Sequence, residues 1–176
     1  MSTPANSRMV TALFNDRDSA ERAYDSATSR GYDKDDVNLV MSDETRKTHF
    51  SDQPGKTTEL GNKAAEGAGV GGAIGGTVGA IAAAVAAVGT SIAIPGLGLV
   101  IAGPLAAALA GAGAGGAAGG LVGALVGWGI PEEHVKRYES GIKNGGILMG
   151  VRARSDDDAT YLQQQWQRNK GSEIYA

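Results

Sequence analysis

The stretch GAGVGGAIGGTVGA, residues 67–80, has no charged side chain, and glycine recurs in it at every fourth residue. A second stretch with the same spacing follows about 30 residues later, and residues four apart lie on one side of an α-helix. The two rows are Gly67, Gly71, Gly75 and Gly79, then Gly111, Gly115, Gly119, Gly123 and Gly127. Each glycine disfavours a helix by about 1 kcal/mol relative to alanine. The spacing therefore predicts two helices whose glycine faces are closely packed.

The segment between the two rows predicts how the helices are arranged. It has the sequence TSIAIPGLGLVIAGP, and its prolines and glycines predict a loop over about residues 90–104. The two rows then form an antiparallel αα-hairpin. Glycines that face each other across the two helices then have residue numbers that add to 194, as for Gly67 with Gly127 and Gly71 with Gly123. The midpoint of this register is Leu97. Small residues at this spacing allow two helix backbones to approach closely.

The other side chains of the two arms are also apolar. Larger residues lie between the glycines at Val70, Ile74 and Val78 in the first arm, and at Leu121 and Leu125 in the second. A helix that is apolar on all sides must be buried by protein or by lipid. We consider packing on the chain's own domain, packing against other copies, and insertion into a membrane. A disordered glycine-rich segment would contain serine, glutamine or charge rather than valine, isoleucine and leucine.

The distribution of charge divides the chain into three parts. All Lys, Arg, Asp and Glu lie in residues 1–66 or 132–176, whereas 21 of the 28 glycines lie between Gly61 and Gly129. The net charge of −3 favours neither nucleic acid nor anionic lipid. The absence of cysteine excludes disulfides, thiol catalysis and zinc–thiolate sites. The first residues, MSTPANSRMV, contain no apolar signal core, so we expect a cytoplasmic protein.

The charged N-terminal flank predicts a strand, a helix and a second strand. MVTALF and VNLVM have the composition of strands, and they enclose NDRDSAERAYDSATSRG. Asn15 or Asp16 is the expected N-cap of this helix, and Gly31 is its expected end.

The C-terminal flank repeats this order. GILMGVRA predicts a strand, and SEIYA predicts a short last strand. The helix between them has Ser155 or Asp156 as its expected N-cap and Gly171 as its expected end. An additional helix, PEEHVKRYESGIKNGG, precedes this unit, with Pro131 as its first residue and Gly145 as its end.

Two strand–helix–strand units predict an α+β fold, specifically a ferredoxin-like split βαβ sandwich with a long inserted glycine-zipper αα-hairpin. We expect residues 1–45 to form the first half of the α+β domain and residues 46–62 a polar linker or the start of the first long helix. Residues 63–129 then form the hairpin, and residues 130–176 form a helix and the second half of the domain.

The sequence contains no convincing catalytic, cofactor or metal site. GAGVGG and GAGAGG match a dinucleotide-binding pattern, but neither follows a strand or precedes an acidic residue at the required distance. PGKT lacks the earlier glycine of a phosphate-binding loop. The acidic clusters DKDD and DDD fit turn and helix-cap roles, and His49 and His134 have no ligand partner at metal spacing. We therefore expect no enzyme, no cofactor and no small-molecule substrate.

Several segments resemble one known family. GYDKDDVNLV, the IPGLG loop and GIPEEHVKRYESGIKNGGILMGVRA, with the glycine-zipper insert between them, are similar to bacterial heat-induced or general stress proteins. The resemblance covers residues 9–155 and implies a stress-linked role in bacteria, without a known activity, cofactor or catalytic residue. The C-terminal QQQWQRNKGSEIYA lies outside it.

Taken together, these features predict a stress-associated structural protein that forms homo-oligomers through its hairpins, as a ring, shell or filament. The alternative is a membrane-associated stress protein whose hairpin enters the bilayer. Each arm is about 37 Å long, sufficient to cross a hydrocarbon core of about 30 Å. The two states could also coexist, with soluble oligomers that open onto a membrane.

Overall fold

The computed structural model describes residues 8–33, 36–50, 92–94, 99–104, 122–123, 125–126 and 129–176. Six strands and four helices have both of their ends within these residues. The strands are β1 (Met9–Phe14), β2 (Val37–Ser42), β3 (Ile92–Ile94), β4 (Leu99–Ala102), β5 (Ile147–Arg152) and β6 (Ser172–Tyr175). The helices are α1 (Arg17–Ser29), α2 (Asp43–Phe50), α3 (Glu132–Lys143) and α4 (Asp156–Arg168).

The strands form one antiparallel sheet in the order β3-β4-β2-β5-β1-β6. The pairing of β1 with β5 runs from Met9 opposite Arg152 to Phe14 opposite Ile147. The short C-terminal strand predicted from SEIYA is present as β6, although its register against β1 shifts between Thr11 and Leu13. The predicted α+β class is therefore confirmed.

Two helix starts agree with the capping residues expected from the sequence. The Asp16 side chain accepts a hydrogen bond from the backbone N–H of Ser19 at 2.8 Å, so Asp16 rather than Asn15 caps α1. The Ser155 hydroxyl accepts one from Asp158 N–H at 3.1 Å, so Ser155 caps α4. Each contact satisfies an N–H group that the first helical turn leaves without a partner.

Two of the three predicted helix ends agree with the structure, and the third differs. Gly31 and Gly145 lie just after α1 and α3 with φ of +92° and +94°, as a left-handed helix end requires. After α4 the left-handed residue is Lys170, with φ of +63°, and not Gly171. Gly171 is needed for another reason, because a Cβ atom there would lie 2.8 Å from the carbonyl oxygen of Trp166. Pro131 precedes α3 instead of beginning it, because its ψ of 140° is extended.

Helices cover both faces of the sheet. On one face, α1 and α4 pack over side chains from β1, β2 and β5; Trp166 is fully buried there, and its indole N–H donates to Ala23 O at 3.1 Å. On the other face, α3 contributes Val135, Tyr138 and Ile142, and Leu125 joins the same core. The described residues thus form three layers, with a helix layer on either side of the sheet.

The predicted loop over residues 90–104 is wrong in part, because β3 and β4 lie within it. Ile92–Ile94 and Leu99–Ala102 pair with each other, and β4 also pairs with β2. The isoleucines and valine of these short segments favour strands, and pairing with β2 gives their backbone groups partners that a loop would lack. The middle of the glycine-rich segment therefore belongs to the sheet.

The predicted boundary after residue 45 also falls inside an element. Helix α2 spans Asp43–Phe50, so the first eight residues after β2 are helical and the expected polar linker starts within them. Its start has the features of a helix N-terminus: the Ser42 hydroxyl accepts from Thr45 N–H at 3.0 Å, and Asp43 and Glu44 lie in the first turn.

We expect Lys170→Gly to raise the free energy of unfolding by about 0.5–1 kcal/mol. A side chain disfavours the left-handed conformation that Lys170 adopts, and the gain is reduced because glycine also makes the unfolded chain more flexible. Urea denaturation followed by circular dichroism measures the change.

Gly31→Ala is the matched control, since it introduces the same strain at the end of α1. An added Cβ at Gly31 meets no described atom within 4 Å, so only backbone strain remains, and we expect a loss of about 1 kcal/mol. A stability for Lys170→Gly at or below that of the unaltered protein would contradict the assignment of strain to Lys170.

Candidate functional site

The glycine-rich segment meets the sheet at the β3–β4 hairpin. Ile92 pairs with Ile101 and Ile94 pairs with Leu99, so the numbers of paired residues add to 193. Strands β3 and β4 are therefore antiparallel, whereas the predicted pairing of the two glycine rows, with numbers that add to 194, lies outside the described residues.

Strand β4 is tightly docked on β2. Four residues pair, from Leu39 opposite Ala102 to Ser42 opposite Leu99. The Leu99 and Ile101 side chains are buried in the core beneath α3.

Gly103 ends this contact with φ of +98°. A Cβ atom at Gly103 would overlap the carbonyl oxygen of Val37 and lie 3.0 Å from the Cα of Asn38, both of them backbone atoms. Only glycine allows this close approach of the two backbones.

Two of the predicted packing residues lie in the described part of the chain, and they face opposite ways. Gly123 is exposed, and no described atom lies within 4 Å of a Cβ built on it. Leu125 is fully buried beside α3 in the second core. Val126, the next residue, is 44% exposed. On this helical turn Leu125 faces the sheet, while Gly123 and Val126 face outward.

The other predicted packing residues lie outside the described residues. They are Gly67, Gly71, Gly75, Gly79, Gly111, Gly115, Gly119, Gly127, Val70, Ile74, Val78 and Leu121.

A polar cleft of about 320 Å³ lies between α2 and the end of α3. Its walls include Thr48, His49 and Lys143. The hydroxyls of Ser42 and Thr45 hydrogen-bond to each other at 2.8 Å. The Lys143 ammonium forms an ion pair with Glu139, also at 2.8 Å. The Ser42–Thr45 contact lies at the start of α2 and the Lys143–Glu139 ion pair lies at the end of α3. These polar groups of the cleft therefore serve helix capping and surface ion pairing.

The charged groups around α4 are likewise paired within the fold. Asp158 accepts hydrogen bonds from Arg30 and from the Tyr32 hydroxyl, both at 2.8 Å, and these two contacts lower the pKa of the Asp158 carboxyl. Burial is the main cause of the raised pKa of Tyr32. The Arg154 guanidinium stacks on the Tyr32 ring and pairs with Asp36 at 2.8 Å. This cluster ties the end of α1 to the start of α4.

Tyr138 links α3 to the sheet through a buried hydroxyl. It donates a hydrogen bond to Glu173 O at 2.6 Å, which leaves the Thr11 hydroxyl as the donor in their 2.8 Å contact. Burial raises the pKa of Tyr138 to about 12. The folded structure thus stabilises the neutral phenol, which joins the helix to both β1 and β6.

In the part of the chain that the structure describes, no three His, Cys, Asp or Glu side chains are grouped as a metal site would require. A search of the same residues for a helix long and apolar enough to cross a membrane also finds none. Comparison of the chain with protein-family models, curated proteins and solved structures yields no match.

The sequence interpretation missed the docking of the β3–β4 hairpin. The pattern IAI-PGLG-LVIA contains two short β-branched runs around a proline–glycine turn, which is a recognisable hairpin pattern. The contact with β2 joins residues about 60 positions apart, so no local pattern could predict it.

We expect Gly103→Ala to detach β4 from β2 while the centre of the sheet stays intact. The added methyl group would overlap the backbone of β2, which cannot move without disturbing β5. Hydrogen exchange measured by NMR should show faster exchange at Leu99 and Ile101 and unchanged protection in β1 and β5. Uniform loss of protection would mean that β4 does not open separately.

We expect Tyr138→Phe to lower the free energy of unfolding by about 1–3 kcal/mol, because the Thr11 hydroxyl and Glu173 O lose a buried partner. The raised pKa also predicts a pH dependence. A phenol whose folded pKa is about 12 contributes stability below its unfolded value of 10.0, and this contribution disappears as pH rises through 12. Denaturation between pH 9 and pH 12 should therefore show a steeper loss in the unaltered protein than in Tyr138→Phe.

Proposed function

We propose that this chain is a non-enzymatic, stress-associated structural protein that assembles into a homo-oligomer through its glycine-rich segment. In this view the α+β domain is a rigid, charged exterior, and the uncharged segment supplies the contacts between copies. A ring, shell or filament would each place the segments together and the charged domains outside.

The fold proposed for the domain is the ferredoxin-like split βαβ sandwich. Strands β2, β5, β1 and β6 are neighbours in this order, and they come from two strand–helix–strand units. Helices α1 and α4 pack on the same face, as that fold requires. The β3–β4 hairpin and α3 are then additions to it, made by the chain between the two units.

Burial of the described residues supports contacts outside the domain. Both sheet faces already have helices packed on them, with Trp166 central to one core and Tyr138 to the other. An uncharged segment of 65 residues, from Gly67 to Pro131, therefore needs further partners to bury its apolar surface.

The observation that carries the proposal is the outward direction of Gly123. This residue belongs to the second glycine row, and it faces away from the core that holds Leu125. Beside it, Val126 is exposed to the same side. A small residue next to an apolar one is a surface on which a second helix can pack closely.

The alternative is a membrane-associated stress protein, and the length of the uncharged segment favours it. The docking of β4 on β2 favours self-assembly over this alternative. Insertion of a simple hairpin would place its midpoint in lipid, whereas β3 and β4, the strands on either side of that midpoint in the sequence, pair with each other and β4 pairs with β2. The proposed location is the cytoplasm, with association at the membrane as the second possibility.

The test is the size of the particle formed by Gly123→Leu, measured by size-exclusion chromatography with light scattering. A Cβ atom at this exposed position meets nothing within 4 Å, so we expect the domain to fold normally and a loss of assembly to come from the contact itself. We expect the unaltered protein to form a particle many times its mass of 17.8 kDa and the variant to dissociate. Gly75→Leu and Gly119→Leu should act in the same way.

Gln163→Leu is the matched control, because it adds the same side chain at an exposed position of α4. It should leave the particle size unchanged. An unaltered protein that is monomeric without detergent, or glycine variants that keep the full particle size, would refute assembly through the glycine rows.

A further inference from the structure

We propose that the left-handed backbone of Glu173 prevents the β6 edge of the sheet from pairing with the same edge of a second copy. The strand excluded in this way is β6 of another molecule, aligned antiparallel across a twofold axis. The inference goes beyond the proposed function, because it concerns the charged domain and does not depend on contacts between the glycine rows. It assigns β6 as a surface at which copies do not join.

Strand β6 lies at an edge of the sheet and is open on one side. Its inner side pairs with β1, and among the described residues no strand pairs with its outer side. Glu173 is exposed, and Ser172, Ile174 and Tyr175 are half-buried. Isoleucine and tyrosine favour strands. An exposed edge of this kind is a template for a strand from another chain, and proteins commonly block it with a charge or a bulge.

Glu173 interrupts this edge through its backbone. Its φ of +51° lies in the left-handed region, which strand residues do not adopt. The register against β1 shifts between Thr11 and Leu13, so two residues, Glu173 and Ile174, lie opposite the single residue Ala12. This arrangement is a β-bulge, which leaves one residue unpaired and twists the edge away from a partner.

The carbonyl group of Glu173 is directed away from the edge. It accepts the hydrogen bond from the Tyr138 hydroxyl at 2.6 Å, and Tyr138 belongs to α3, which packs on one face of the sheet. The exposed Glu173 side chain adds a charge at the edge, where its carboxylate pairs with Arg137 at 3.0 Å. A strand that approached β6 would therefore meet an irregular backbone, an acceptor turned toward the helix and a charged side chain.

Two contacts from α3 hold Glu173 in this conformation. A left-handed backbone is unfavourable for glutamate and persists only where the surrounding structure fixes it. Tyr138 fixes the carbonyl group and Arg137 fixes the carboxylate. A residue that favours extended backbone at this position would straighten β6 and return its carbonyl group to the plane of the sheet.

The experiment compares Glu173→Val with Glu173→Asn in the full chain. Both variants lose the charge and the ion pair with Arg137. Valine favours extended backbone, whereas asparagine tolerates the left-handed region, so only valine should straighten β6. Hydrogen exchange of the C-terminal peptide that contains β6 is measured by mass spectrometry at low and high protein concentration. We expect exchange in Glu173→Val to be about tenfold slower at high concentration, and exchange in Glu173→Asn and in the unaltered protein to be independent of concentration.

Tyr138→Phe is a second variant, and it decides the question if Glu173→Val does not fold. It leaves the Glu173 side chain in place and removes the donor to the Glu173 carbonyl group. We expect exchange to slow with concentration in this variant too, by a smaller factor. Thr11→Val is its matched control, because it removes the other hydrogen bond of the Tyr138 hydroxyl and keeps the one to Glu173. Exchange in Thr11→Val should not depend on concentration.

Exchange in folded Glu173→Val that is the same at both concentrations would overturn the proposal. An equal concentration dependence in Glu173→Asn would also overturn it, because the left-handed backbone would then have no effect. The same comparison in a Gly123→Leu background, with light scattering, separates these results from the proposed assembly. A Gly123→Leu protein that dissociates, and forms dimers when Glu173→Val is added, supports both proposals. A particle that Gly123→Leu leaves unchanged refutes assembly through the glycine rows, while the exchange comparison at β6 still decides the role of Glu173.

Discussion

The antiparallel pairing of β1 with β5 is the contact on which the rest of the structure depends. It joins residues separated by more than 130 positions, and every other strand is added directly or indirectly to this pair. Both cores use it: Phe14 and Met149 face α1 and α4, whereas Leu13 and Leu148 face α3. Because the entropy of closing a loop grows only slowly with its length, a long insertion between the two halves is tolerated once this pair has formed.

The polar chemistry of the described residues serves this architecture. The Asp158 carboxyl, with a lowered pKa, joins the end of α1 to the start of α4, and the buried Tyr138 hydroxyl joins α3 to β1 and β6. Shifted pKa values often mark catalytic groups. Here the contacts with Arg30 and Tyr32 lower the pKa of Asp158 and burial raises the pKa of Tyr138, so both shifts have causes within the packing of the fold.

The β3–β4 hairpin at one edge of the sheet connects this domain to the uncharged segment. Close approach of two backbones at Gly103 makes the contact specific, and its position outside β2 makes it separable. Gly123 and Val126 face outward while Leu125 is buried, so one helical turn contributes both to the core of the domain and to its exposed surface.

The sequence by itself determined the local structure of the flanks. The strand patterns at Met9–Phe14 and Ile147–Arg152 and the helix ends at Gly31 and Gly145 depend on neighbouring residues, so they could be predicted. For the same reason the sequence narrowed each N-cap to two adjacent residues, of which the structure uses Asp16 and Ser155. Of the predicted packing site, Gly123 and Leu125 lie in the described chain, and which of them faces the core could not be predicted from an arm that is apolar on every side. The tertiary structure alone decided this direction and the docking of β4 on β2. These features depend on contacts between residues that are distant in the sequence, and a local sequence pattern carries no information about the free energy of such contacts.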